Sequence, residues 1–132
     1  MGTKKFDPDD IAAFLNLLPR EVGKLPLRHA LEVRHPSFKD ERFYALCRKH
    51  NVAIVYAHDE DFPEIGEPTA DFTYARLMGT QDKVKTGYKP AELDQWAKRA
   101  KAWAKRGDAF IYIISGAKVR NPAAAQALIE RI

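Results

Sequence analysis

The stretch VAIVYA, residues 52–57, is apolar or aromatic at every position and ends at His58, where the chain becomes irregular. A short run without alternating polar residues predicts a strand that is buried on both faces. The segment between Ser37 and Asn51 repeats apolar residues at helical spacing, and residues 28–34 before it form another strand-like run. A strand, a helix and a second strand in this order predict a parallel pair with helices covering the sheet.

The rest of the chain extends this pattern in both directions. The predicted elements, in chain order, are a helix after Asp7, a strand at 28–34, a helix after Ser37, strands at 52–57 and 71–77, a helix from Pro90 to Gly107, a strand at 109–115 and a helix after Asn121. No internal repeat, linker or low-complexity stretch divides them. We therefore predict a single α/β domain, residues 1–132, built on a short parallel sheet of four strands.

Composition and charge restrict the function classes. The chain has 22 Lys and Arg against 18 Asp and Glu, a net charge of +4, which favours anionic partners and permits nucleic acid. Cys47 is the only cysteine, and its place on an apolar helix stripe indicates a buried small hydrophobe rather than a nucleophile. The N-terminal segment lacks the apolar run of a secretory signal, and the run at 110–114 is too short to span a membrane. We expect a cytoplasmic protein without a membrane partner.

The stretch ALEVRHPSF, residues 30–38, places three chemically active side chains at the end of a strand that otherwise looks buried. Glu32 and Arg34 share a face because successive strand side chains alternate, and His35 follows them. Two interpretations stay open, an ion pair inside the protein and a catalytic or ligand-binding role. A carboxylate in such a pocket can act as a general acid or base, and Glu32 is the candidate.

Tyr74 and Arg76 likewise share a face near the end of the third strand. The planar guanidinium group of an arginine suits a carboxylate or a phosphate. The alternative is that Arg76 only balances the charge of Glu32 or Asp71 inside the protein.

The stretch SGAKVRNP, residues 115–122, places a glycine loop and two cations directly before a predicted helix. Free backbone N–H groups and the helix dipole favour an anion at such a position. Gly116 and Lys118 are therefore candidate anion-binding residues. The alternative is an ordinary capped turn with solvated cations.

Two charged groups receive weaker functional interpretations. The run HDED at 58–61 predicts a solvated acidic loop rather than a metal site, because consecutive residues rarely converge on one ion. Lys98, Arg99, Lys101, Lys105 and Arg106 predict a solvated helix face, with nucleic-acid contact as the alternative. No P-loop, dinucleotide fingerprint, zinc motif or nucleophile elbow is present, so the sequence assigns neither a metal nor a cofactor.

Four stretches together resemble one family. They are ALEVRHPSF, TADFTYARLMGT, GY followed by LDQWAKR, and YIISGAKVRNPAAAQAL. In order and spacing they are similar to the C-terminal half of the domain of unknown function 72 family, the YecE-like proteins. The resemblance implies half of a TIM-type barrel, with the four strands corresponding to strands five to eight. It implies architecture rather than chemistry, since the family's reaction is not established.

Three functional hypotheses remain. In the first, a barrel-type domain acts on a small anionic or phosphorylated substrate, with Glu32 as the acid or base. The groups that would bind or line the ligand are Arg34, Tyr74, Arg76, Gly116 and Lys118. The second is a nucleic-acid-binding or phosphodiester-processing module, and the third is a fragment with no activity of its own. Because four parallel strands leave open edges, we also expect a homodimer or a missing N-terminal half-barrel.

Overall fold

The structure, a computed structural model that describes residues 4–132, alternates helices with short strands. In chain order its elements are α1 (Pro8–Leu17), β1 (Glu21–Val22), β2 (Leu25–Pro26), β3 (His29–Leu31), α2 (Glu41–His50), β4 (Val52–Ile54), β5 (Tyr56–His58), β6 (Thr73–Leu77), α3 (Pro90–Arg106), β7 (Ala109–Ile113) and α4 (Asn121–Ile129). The predicted alternation of helices and parallel strands is confirmed. The antiparallel hairpin of β1 and β2 lies outside the predicted elements.

The parallel strands form two sheets rather than the single four-stranded sheet expected from the sequence. β3 pairs with β4, and β5, β6 and β7 form a three-stranded sheet in that order. The predicted strand 52–57 is divided between them at Val55, whose N–H donates to the carbonyl oxygen of Leu31 at 3.0 Å. The division arises because the chain changes its pairing partner at this residue, from β3 before it to β6 after it.

The helices begin and end at residues with suitable caps. The Asp7 carboxylate accepts hydrogen bonds from two N–H groups of the first turn of α1, and Asn51 ends α2 in the left-handed conformation, with φ 52°. Asp40, rather than Ser37, caps α2. The difference arises because a short 3-10 helix at Pro36–Phe38 precedes α2, and the Ser37 hydroxyl instead accepts a hydrogen bond from the Phe6 N–H at 2.7 Å.

Buried apolar side chains form two clusters, one for each parallel sheet. The first cluster joins α1 and α2 to β4 around Phe43, which is fully buried. The second joins α3 and α4 to the three-stranded sheet around Leu77 and Tyr88. α4 contributes Ala124, Ala127 and Leu128 to it, while the neighbouring apolar residues Ile129 and Ile132 are exposed. The helices therefore cover one side of the sheets.

None of the helices within residues 4–132 combines the length and the apolar character needed to cross a membrane.

Among the glycines within residues 4–132, Gly107, which ends α3, has the least room for an added side chain. We expect Gly107→Ala to destabilise the protein by about 2–3 kcal/mol, because its Cβ would lie 2.0 Å from the Asp71 backbone oxygen. Urea denaturation followed by circular dichroism measures the free energy of unfolding. Gly66→Ala is the matched control, since a Cβ there meets nothing within 4 Å. Equal stability of the two variants would contradict the close contact.

Candidate functional site

Glu32 lies at the centre of a charged cluster that joins two strands. Its carboxylate accepts a hydrogen bond from Arg76 of β6 at 2.5 Å and another from Arg34 at 3.2 Å. Glu32 follows β3 directly and Arg76 is the fourth residue of β6, so the parallel strands bring together residues 44 positions apart. The glutamate side chain is 18 % exposed. The structure thus assembles the acidic and basic side chains that strand alternation placed on one face.

The cluster borders a cleft on the side of the sheets that the helices leave open. The cleft has a volume of about 690 Å³. Alternate residues of the strand regions form its wall, as expected for one face of a sheet. They are Ala30, Glu32, Val55, Phe72, Tyr74, Arg76, Phe110, Tyr112 and Ile114, together with Pro26, Leu27 and Arg28. We refer to this space as the cleft.

Aromatic rings cover the middle of the cleft wall and the end nearest the start of the strands. The rings of Tyr74 and Tyr112 have centroids 5.2 Å apart. The Arg28 guanidinium lies 5.2 Å from the ring centroid of Phe72 and 5.0 Å from that of Phe110. Cation–π contacts of this kind hold the arginine side chain in one position. Glu32 and Arg76 therefore lie toward the other end of the cleft, where the parallel strands finish.

Arg34 and His35, adjacent in sequence, have different roles. The Arg34 guanidinium lies 4.6 Å from the ring centroid of Phe62 and keeps one hydrogen bond to Glu32. The His35 ring instead accepts a hydrogen bond from the Ser37 N–H at 3.1 Å and caps the short 3-10 helix. Of the two, only Arg34 belongs to the charged cluster.

Hydrogen bonds within the chain hold the loop that contains Gly116 and Lys118. The Ala117 N–H donates to the backbone oxygen of Thr80 at 3.1 Å, and the Asn121 side-chain amide donates to the Ser115 oxygen at 2.8 Å. The Arg120 and Asn121 N–H groups also have acceptors within the loop. Lys118 is exposed. These N–H groups are not free to cradle an anion, so the arrangement favours the capped turn over the anion site.

A second cavity, of about 610 Å³, lies beside Gly116. Its lining includes one histidine and five carboxylate side chains, from His58, Asp59, Glu60, Asp61, Glu64 and Glu92, and no lysine or arginine. Like charges at this density oppose an anion at Gly116. Within residues 4–132 no group of three acidic, histidine or cysteine side chains is arranged to hold a metal ion. The sequence does not reveal this cavity, because Glu92 comes from a helix that is distant in the chain.

His58 forms part of an aromatic cluster that the sequence does not reveal, because its partners are distant in the chain. Its Nδ1 lies 3.2 Å from the Tyr88 hydroxyl, and its ring meets the Trp96 ring edge-on at 4.9 Å. The Tyr88 hydroxyl accepts a hydrogen bond from the Gly79 N–H, and burial raises the pKa of Tyr88 to about 12. These contacts fix the chain where β5 and β6 end, so His58 supports the local structure.

The basic residues of α3 are only partly free for contact with nucleic acid. Arg99 donates a hydrogen bond to the Tyr56 hydroxyl and lies 5.3 Å from the ring centroid of Trp96. Arg106 donates to the backbone oxygen of Ala70 at 3.3 Å. Lys98, Lys101 and Lys105 are exposed. Two of the five cations therefore hold the helix against its own protein, Arg99 through β5 and Arg106 through the segment before β6.

Comparison with known proteins gives one family. The family model described as "Protein of unknown function DUF72" matches residues 3–132. The fold is similar to the crystal structure of a DUF72 family protein from Thermotoga maritima, with a TM-score of 0.70 and 19 % identity. It is also similar to a DUF72 family protein from Enterococcus faecalis, with a TM-score of 0.68 and 14 % identity. No match was found among the curated proteins.

The chain spans about half the length of these solved structures. The match covers 98 % of this chain in both comparisons, but 53 % of the Thermotoga chain and 56 % of the Enterococcus chain. At these identities the likeness shows the fold alone.

Cys47 of α2 is fully buried in the first apolar cluster. Burial raises the pKa of its thiol to about 12, so the reactive thiolate is scarce in the folded protein at pH 8. We expect a thiol reagent such as DTNB to react at least about a hundredfold more slowly with the folded chain than with the urea-denatured chain. A folded-state rate within a few-fold of the denatured rate would show that Cys47 is accessible.

The buried Tyr88 makes the stability of the folded protein depend on alkaline pH. Burial raises the pKa of Tyr88 from 10.0 to about 12, so its neutral form stabilises the folded state fully below pH 10. That contribution is lost as the pH rises from 10 to 12, and at pH 10.5 the loss is about 1 kcal/mol. Urea denaturation at pH 8 and pH 10.5 should show a smaller drop in stability for Tyr88→Phe than for the unchanged chain. Tyr112→Phe, at an exposed tyrosine, is the control and should keep the full drop.

Proposed function

The chain belongs to the DUF72 family, whose function is unknown, and from this premise we propose that it is half of a TIM-type β/α barrel that binds a small anion in the cleft. Parallel strands separated by helices, in a chain that spans about half of its solved relatives, support the half-barrel. In such barrels, sites lie where the strands finish. Glu32 and Arg76 lie at that end of the cleft.

The single observation that carries the proposal is the sharing of Glu32 by two arginines. Two guanidinium groups and one carboxylate leave one positive charge in the cluster at neutral pH. Each arginine has five N–H donors and gives one to Glu32, so both retain donors for a ligand. A phosphate or carboxylate group is the anion that this planar donor geometry binds best.

The neighbouring groups define what the site would accept. Tyr74 lines the cleft beside Arg76 and offers an aromatic surface to the part of the ligand that carries the anion. Among the described residues that line the cleft, Glu32 is the only one with a carboxylate. Any proton transfer by a carboxyl group in the cleft would therefore fall to Glu32, which makes it the candidate acid or base. Gly116 and Lys118 have no part in this proposal.

Inorganic phosphate is the first probe of the site. We expect Arg76→Gln to weaken phosphate binding about tenfold or more, since a charge-assisted hydrogen bond contributes about 1.5–3 kcal/mol. We expect Glu32→Gln to strengthen binding, because the carboxylate then no longer competes with phosphate for the two guanidinium groups. NMR titration of the backbone amides, with the shifts mapped onto the cleft, measures both effects.

Arg48→Gln is the matched control, because Arg48 forms its ion pair with Glu67, outside the cleft, and its loss should leave phosphate affinity unchanged. Unchanged affinity in Arg76→Gln would refute the site. Oligonucleotide binding with a steep dependence on salt, but no phosphate shifts in the cleft, would instead support the nucleic-acid alternative. Neither phosphate nor oligonucleotide binding would support a fragment without activity.

A further inference from the structure

The two outermost parallel strands have free edges. Among residues 4–132, β3 pairs only with β4 and β7 pairs only with β6, so the outer edge of each carries backbone groups without a strand partner. Free edges of this kind template the addition of another strand. We propose that two copies of this chain associate with β7 of one beside β3 of the other, twice, around a shared interior.

Symmetry favours a second copy as the partner. A twofold axis along the strand direction places β7 of each copy parallel to β3 of its partner, so one contact repeated twice closes both edges of both chains. The copies then contribute equal walls to one enclosed space. The inference rests on the proposed half-barrel. Because its test requires no ligand, the association of two copies and the binding of an anion in the cleft can fail separately.

Exposed apolar side chains occur on the segments that adjoin both free edges. Before β3, Leu17, Val22 and Leu25 are exposed, with 72 % of Leu25 accessible. After β7, Ile129 and Ile132 are exposed, with 65 % of Ile129 accessible. The proposed contact brings the first group of one copy toward the second group of the other. Burial of such residues from water favours association.

The charges in the cleft oppose this arrangement only weakly, because most of them are paired within each copy. Arg28 forms an ion pair with Asp108 at 2.8 Å, and Arg34 and Arg76 share Glu32. Each copy therefore presents about one uncompensated positive charge to the interior.

The length of the solved relatives agrees with a partner of this size. The match occupies 53 % of the Thermotoga chain, so the remainder of that chain is slightly shorter than the matched part. The space left beside the cleft therefore corresponds to a polypeptide of nearly this chain's own length. A second copy supplies that length and the complementary strand edges together.

Cysteine cross-linking tests the proposed edge contact. Ala30 of β3 and Tyr112 of β7 both face the cleft, and both are exposed. Within one chain two strands separate them, about 14 Å in total, which is beyond disulfide reach. We expect a mixture of Ala30→Cys and Tyr112→Cys chains to form a covalent dimer under mild oxidation, while neither variant does so alone. Because the register of the contact is open, Ile114→Cys is tested in the same way as a second β7 position.

The unchanged chain is measured in parallel by light scattering after size exclusion. We expect twice the 15.0 kDa chain mass at tens of micromolar. Ile129→Glu should shift the chain toward monomer, whereas Ala102→Glu, on the outer face of α3, should not. Circular dichroism confirms that both variants fold.

Three results would overturn the inference. One is a folded monomer at hundreds of micromolar, which would leave the cleft to a different polypeptide. Another is a dimer in which neither β7 cysteine links to Ala30→Cys, which would mean that the copies meet through another face. The third concerns Ala102→Cys, a control on the outer face of α3. If Ala30→Cys links to this control as efficiently as to the β7 cysteines, the links come from random collision.

Discussion

The hydrogen bond from the Val55 N–H to the Leu31 oxygen is the constraint on which the rest of the structure depends. On one side of Val55 the chain pairs with β3, and on the other side it pairs with β6. One uninterrupted segment thus belongs to both sheets and sets their relative position. That position brings Glu32, which follows β3, within reach of Arg76 on β6. The charged cluster is a consequence of backbone pairing as much as of side-chain chemistry.

Most of the secondary structure could be predicted because it depends on local patterns. Helical spacing, terminal caps and apolar strands are visible within ten or fifteen residues of sequence. The hairpin of β1 and β2 was not predictable in this way, since its strands have two residues each and their side chains are exposed. Ile129 and Ile132 are apolar at helical spacing, yet α4 packs through Ala124, Ala127 and Leu128. The pattern gives the helix but not the side that faces the sheet.

The candidate site was predictable only where strand geometry decides it. Glu32, Arg34 and Arg76 lie together because alternation fixes the face of each side chain and parallel pairing aligns the strand ends. The loop with Gly116 depends instead on Thr80, whose backbone oxygen and hydroxyl both bond to the Ala117 N–H. The charge beside this loop also depends on carboxylates from two other segments, which line the second cavity. A local motif cannot predict such surroundings, which favour the capped turn over an anion site at this loop.

The division of the buried side chains into two clusters bears on how the native state opens. Among residues 4–132 no buried residue belongs to both clusters, and the segment Val52–His58 joins them. Regions with separate cores commonly lose and regain structure as separate cooperative units, which native-state amide hydrogen exchange resolves. We therefore expect two groups of amides with different opening free energies. The amide of Val55 bonds to β3 but lies beside β5, so its protection would report on the loss of either unit.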